Sequence, residues 1–263
     1  MTNETNLHTA ILAAIAAGKE IMAIYSTDFD VEEKSDNSPL TIADKNANDV
    51  INTFLEKLDI PIISEENKQT PYEIRKHWSR CWIVDPLDGT KEFVKRNGEF
   101  TVNIALIENG VPILGVIYVP VTKTLYYTAA DATKALRCVV VEEDNMTIEK
   151  ILDASEEIKP TTHSTVALRV VGSRSHLNDE TKRFIENLGQ QTEIVSKGSS
   201  LKFCLVAEGN ADVYPRFAPT MEWDTAAGHA ICRAVGLNVT IAETKEPLQY
   251  NKENLLNPYF LVR

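Results

Sequence analysis

The segment Asp85-Pro86-Leu87-Asp88-Gly89-Thr90 holds the residue types best suited to chemistry in this chain. It follows the apolar run Cys81-Trp82-Ile83-Val84, which reads as a buried strand, so Asp85 stands where that strand ends. Pro86 fixes its own φ and donates no hydrogen bond, which makes the turn to Asp88 stiff. Such a turn could aim Asp85, the Leu87 carbonyl and Asp88 at one point. Hard oxygen donors of this kind suit Mg²⁺ rather than zinc. Gly89 and Thr90 would then present backbone N–H groups at the start of a helix, where an anion can rest. The same residues also make an ordinary turn, because Asp, Pro and Gly favour turns for local reasons.

Glu65, in Ser64-Glu65-Glu66, directly follows the short apolar run Ile60-Pro61-Ile62-Ile63. There it is either solvated surface charge or a carboxylate projecting into a cleft shared with Asp85; Glu66 reads as solvated. Asp224 lies in Glu222-Trp223-Asp224-Thr225-Ala226-Ala227-Gly228. It is either a helix N-cap or, beside small residues that permit close approach, the residue completing a metal site.

Glu65-Glu66, Asp85-Pro86-Leu87-Asp88-Gly89-Thr90 and Trp223-Asp224-x-Ala-Ala-Gly228 together resemble the signatures of the inositol monophosphatase superfamily. The resemblance spans nearly the whole chain, with three motifs in order. It implies a metal-dependent, lithium-sensitive phosphatase with a layered αβαβα fold. Carried over, it implies metal ligation by Glu65, Asp85, Asp88, Asp224 and the Leu87 carbonyl, with two or three Mg²⁺ ions. Thr90 matches the threonine that helps orient the attacking water, Asp44 the aspartate that hydrogen-bonds it, and Lys34 a mobile-loop lysine. Metal ions there would activate water and offset charge on the leaving oxygen, with Glu65 counted among the catalytic residues.

The C-terminal half bears on the substrate. Val171-Gly172-Ser173-Arg174-Ser175-His176 follows a strand, Gly198-Ser199-Ser200-Leu201-Lys202 opens a helix, and Ala211-Asp212-Val213-Tyr214-Pro215-Arg216 ends a strand with a cation. A lone basic residue is more often a solvated charge; several at element ends of an acidic chain point to an anion. The three pieces resemble the 3′(2′),5′-bisphosphate nucleotidase branch of the superfamily. By that match His176, Ser199, Lys202 and Arg216, beside Gly89, Thr90 and Asp224, would hold a nucleotide with two phosphates. The implied reaction removes the 3′-phosphate of adenosine 3′,5′-bisphosphate, or of its sulfated form PAPS. Inositol monophosphatase and sugar bisphosphatase are the rivals within the superfamily; a non-catalytic protein binding a nucleotide or divalent ion is the rival outside it.

These side chains need elements to position them. Leu7, Ile11, Leu12, Ile15, Ile21, Met22 and Tyr25 recur at helical spacing. A polar loop over 28–39 precedes Thr41-x-x-Asp44, a capping-box pattern opening a second helix. Its buried stripe would be Ala43, Ala47, Val50, Ile51, Phe54, Leu55 and Leu58. Strands over 101–108 and 111–119 flank Asn109-Gly110, the hairpin pair whose type I′ turn needs positive φ twice. A strand over 124–128 extends the meander, and the charged stretch 142–164 reads as a surface excursion. Beyond it, strands over 166–171, 192–195, 211–214 and 237–241 alternate with helices over 179–188, 199–208 and 223–235. The expected organisation is a single phosphatase unit: an α+β half (1–135), a connection (136–165) and an α/β half (166–263).

A hydrophobic fraction of 43% in 263 residues builds a core without disulfides or structural metal. The net charge of -11 argues against a nucleic-acid polymer as partner, since phosphate backbones would be repelled. Four cysteines without a C-x-x-C pair read as reduced thiols. Residues 1–6 lack the basic and apolar pattern of a signal peptide, and no stretch is expected to approach a membrane span. The expectation is a cytoplasmic protein, monomeric or homodimeric, whose partner is a small phosphorylated molecule.

Overall fold

Thr2 caps the first helix, α1 (Asn3–Tyr25), by accepting the Thr5 N–H. The computed structural model describes residues 2–27, 39–141, 147–160, 167–172 and 177–263. With 23 residues, α1 is by length and composition apolar enough to cross a bilayer, which corrects the expectation that no stretch approaches a span. Its composition has a packing cause. Leu7, Ile11, Ile15 and Ile21 are buried against α2 (Pro39–Leu55) and a sheet, and a helix enclosed this way is apolar over most of its circumference. α2 starts at Pro39, so Thr41 is its third residue and no cap. Proline's preset φ, compatible with a first helical position, outweighs the capping-box pattern.

A seven-stranded sheet comes next, in chain order: β1 (Ile62–Ser64), β2 (Arg80–Asp88), β3 (Thr101–Glu108), β4 (Val111–Val119), β5 (Thr124–Thr128), β6 (Ala135–Val139) and β7 (Glu156–Ile158). β1 and β2 are parallel and the other pairs antiparallel. Asn109 and Gly110 take φ of 50° and 78°, the twice-positive turn their types demand. Among the described residues, three short helices intervene: α3 (Tyr72–Arg75), α4 (Thr90–Val94) and α5 (Ile148–Asp153). The stretch expected as a surface excursion thus carries α5 and β7 in its described part. β7 is short and largely exposed, and so shows no apolar alternation to read.

The second half contains β8 (Leu168–Gly172), α6 (Asp179–Asn187), β9 (Thr192–Ser196), α7 (Leu201–Ala207), β10 (Tyr214–Arg216), α8 (Ala226–Ala234), β11 (Val239–Ile241) and β12 (Phe260–Val262). β8 and β9 pair in parallel, and β12 lies between β10 and β11. A parallel bridge from Val170 to Val213 joins the two groups. β12 is absent from the sequence-based expectation; its three residues show no period of their own and are held by partners on both sides.

Side chains alternate between two cores. Trp82, Val84, Val102 and Ile104 pack with α1 and α2. Cys81, Ile83, Ala105 and Ile107 pack with α7, α8 and the inner residues Tyr214, Val239 and Phe260 of the second sheet. α6 lies against β10 on the outside. The result is the expected αβαβα sandwich. α8 comes so close to β4 that a Cβ on Gly115 would stand 2.4 Å from the Ala227 carbonyl oxygen.

Candidate active site

Along a regular strand Asp85 and Asp88, three apart, would point to opposite faces. β2 avoids this. Asp85 stands opposite Asn103 and Asp88 opposite Thr101, so three steps on β2 match two on β3. This bulge inserts one residue and re-aims the side chains beyond it. Leu87 is turned into the first core and Asp88 away from it. The expected stiff turn is therefore a bulge inside a continuing strand. The Leu87 N–H donates to Asp85 Oδ1 at 3.0 Å.

Asp224 comes from the segment before α8. Its Oδ2 accepts the Met221 N–H at 2.8 Å, and the cap position of α8 is Thr225, so Asp224 does not cap that helix. Asp85, Asp88 and Asp224 each bring a carboxylate oxygen within 4.8 Å of the others. Glu65, on the loop leaving β1, is exposed beside this trio, and its charge bears on both Asp85 and Asp224.

Burial pushes the Asp85 carboxyl well above the usual range, and the charges of Asp88, Glu65 and Asp224 push the same way. Asp88 rises to about 7, first from burial and then from Asp224. Asp224 is raised chiefly by burial, against the Met221 N–H, which favours its ionised form. An all-oxygen set whose charges repel in a confined space is short of positive charge, and a hard divalent cation would supply it.

Gly89 stands next in the chain at φ 95°, a left-handed conformation that glycine adopts freely. A Cβ there would stand 3.2 Å from Ser199 Cβ and 3.2 Å from the Glu99 carbonyl oxygen. Thr90 opens α4, and Asp44 is buried on α2, which packs beside α4; the Asp44 charge reaches Asp85.

A cleft of about 530 Å³ opens from Asp88, Gly89 and Asp224, and Ser199, Lys202 and Arg216 line it as well. Lys202 Nζ donates to the Ser199 carbonyl at 3.0 Å. Burial lowers the affinity of this ammonium for its proton, while the Asp88 charge opposes the change. Arg216 Nη2 donates to the Pro219 carbonyl at 3.2 Å. Lys34 and His176 lie outside the described residues.

Sequence reasoning missed the groups that hold Asp88. Its Oδ2 accepts the Ser200 N–H at 2.5 Å and Asn103 Nδ2 at 3.3 Å. Glu99 Oε2 accepts the Gly198 N–H at 2.8 Å, tying the same loop to the start of β3. A polar residue in the middle of the apolar run of β3, Asn103, was the one available signal.

A family model described as the inositol monophosphatase family matches residues 2–259. The chain is 48% identical over 251 residues to the 3′(2′),5′-bisphosphate nucleotidase CysQ of Shigella flexneri, covering 94% of each chain. It resembles the crystal structure of CysQ from Bacteroides thetaiotaomicron, with a TM-score of 0.90, 53% identity, and coverage of 98% of this chain and 96% of that one. An inositol monophosphatase from Zymomonas mobilis shares the fold at a TM-score of 0.75 and 21% identity, covering 100% of this chain and 93% of that one. With this match along nearly its full length, the chain belongs to the inositol monophosphatase family.

Proposed function

We propose that the protein is a Mg²⁺-dependent 3′(2′),5′-bisphosphate nucleotidase that converts adenosine 3′,5′-bisphosphate to AMP and phosphate, and acts likewise on the sulfated nucleotide PAPS. The observation that carries this reading is one cleft with three clustered carboxylates at one end and Lys202 and Arg216 on its walls. A substrate with two phosphates needs both features; an inositol monophosphate has no use for the second. Identity of 48% over 94% of the chain to a nucleotidase of this name supports the same choice.

Asp85, Asp88 and Asp224, with Glu65 and the Leu87 carbonyl, are the residues to hold two or three Mg²⁺ ions. When bound, the cations would supply Lewis acidity toward the phosphoryl oxygens and toward a water. Thr90, oriented by Asp44, aligns that water, and Glu65 is the carboxylate that accepts its proton. Hydrolysis puts the water oxygen on phosphorus, breaks the bond from phosphorus to the 3′ oxygen, and leaves a proton on that oxygen. Gly89, Ser199, Lys202 and Arg216, with His176, bind the nucleotide and its 5′-phosphate. The chain works as a single catalytic unit. The enzyme acts as a monomer or homodimer, and a soluble cytoplasmic protein agrees with α1 packed as a core helix and with four buried free thiols.

The test is phosphate release from adenosine 3′,5′-bisphosphate, inositol 1-phosphate and fructose 1,6-bisphosphate in parallel, with magnesium and with chelator. Magnesium-dependent preference for the nucleotide is expected. Preference for another ester would discard the roles given to Lys202 and Arg216 while keeping the metal site.

A further inference from the structure

Asp88 must present an oxygen to the other carboxylates in a fixed direction, yet a carboxylate turns easily about its last bond. Here the turn is blocked. Oδ2 already accepts two donors, the Ser200 N–H at 2.5 Å and Asn103 Nδ2 at 3.3 Å. The second donor depends on which way the Asn103 amide faces, because a flipped amide would aim its oxygen at the Asp88 carboxylate and repel it. Ser200 settles that orientation: its hydroxyl donates to Asn103 Oδ1 at 2.7 Å, which sends the amide nitrogen toward Asp88. Ser200 Oγ also lies 2.8 Å from Thr101 Oγ1, whose hydroxyl is then free to donate to it. Thr101, Asn103 and Ser200 are all buried, at 0%, 1% and 2% exposure, so water does not substitute for a missing partner.

Ser200 lies between Ser199, whose carbonyl accepts from Lys202, and Leu201, which opens α7. The residues that hold a carboxylate of the cation site are thus continuous with the loop lining the cleft walls. Gly198 keeps that loop close, since a Cβ there would come within 2.5 Å of the Glu92 side chain and 2.8 Å of the Glu99 carbonyl oxygen.

We infer that Ser200 and Asn103 are positioning residues that lock the Asp88 carboxylate for the cation and tie it to the Ser199–Lys202 loop, so that cation and nucleotide strengthen one another's binding. This rests on the metal and nucleotide reading of the cleft. Linkage makes the coupling reciprocal: whatever factor the nucleotide adds to cation affinity, the cation adds to nucleotide affinity.

The experiment measures Mn²⁺ binding by electron paramagnetic resonance, with and without saturating AMP, on wild type, Ser200→Ala, Asn103→Ala and Ser200→Thr. Thermal unfolding in chelator checks that each variant is folded. Ser200→Ala and Asn103→Ala should bind Mn²⁺ about tenfold more weakly without nucleotide and lose most of the AMP-induced tightening. Ser200→Thr, which keeps the hydroxyl, should recover much of both. If one alanine variant fails to fold, the other carries the test. Unchanged Mn²⁺ affinity in a folded alanine variant would overturn the positioning role. Weakened affinity with the AMP effect intact would overturn the coupling. A wild type that binds no Mn²⁺ would bring down the metal reading and this inference with it.

Discussion

Replacing Asp88 by asparagine should abolish turnover and, in the absence of metal, make the protein more stable. The side chain changes by one atom, and its held oxygen can keep both donors, the Ser200 N–H and Asn103 Nδ2, because both go to Oδ2. The new amide would take the place of the other oxygen and donate toward the remaining carboxylates instead of repelling them. The Asp88 carboxyl is raised from 3.8 to about 7, by burial first and by Asp224 second. At about 1.36 kcal/mol per factor of ten in proton affinity, that is about 4 kcal/mol held against the ionised form. Asp88 keeps some surface in the cleft, and solvent screening reduces the figure to about 2 kcal/mol.

Between pH 4 and 7, roughly, the folded state holds a proton that the unfolded chain has released, so stability falls as pH rises through that window. Thermal unfolding in chelator at pH 8 should therefore place the midpoint of Asp88→Asn about 4–8 °C above wild type. The gap should close toward pH 4. Magnesium should reverse the order, raising wild type by mass action and leaving the variant nearly unmoved. A variant no more stable than wild type in chelator at pH 8 would falsify the picture of confined repulsion. A magnesium-induced shift equal in both proteins would remove Asp88 from the ligand set.

Arg216→Ala should lower kcat/KM for adenosine 3′,5′-bisphosphate about 10–100-fold, the worth of charge-assisted hydrogen bonds, with a much smaller loss on inositol 1-phosphate; equal losses would remove its specificity role. His229 is buried with Nδ1 3.0 Å from the Tyr250 hydroxyl, and burial lowers its pKa to about 3. Its stabilising contribution is complete above its unfolded value near 6.5 and is lost as pH falls toward 3, so His229→Gln should blunt acid destabilisation by about 2 kcal/mol at pH 5. Parallel denaturation curves for the two proteins from pH 7 to 4 would contradict this. Gly115→Val drives a side chain into the Ala227 carbonyl and should lower stability by about 1–3 kcal/mol, read from denaturant midpoints.

Much of this protein can be read from the chain alone because its signals are local. Asn109-Gly110 announces a hairpin through backbone sterics within two residues. Glu65 and Asp85 stand at the ends of apolar runs that become the parallel neighbours β1 and β2, which brings two acidic residues to one edge. α1 and α2 are legible from spacing, although Pro39 rather than Thr41 opens the second.

Tertiary structure decided whatever depends on pairing between distant segments. The bulge that turns Asp88 to the side of Asp85 exists only as a register between β2 and β3. The short strands β7 and β12 are held by neighbours rather than by any periodicity of their own. Ser200 reads as one of two serines opening a helix until the fold sets its N–H on Asp88, 112 positions earlier in the chain. Residue types determine which groups can bind a cation or a phosphate, since that is side-chain chemistry. Their directions, and the burial that raises the carboxylates, arise only when separate strands and loops close around them and exclude water.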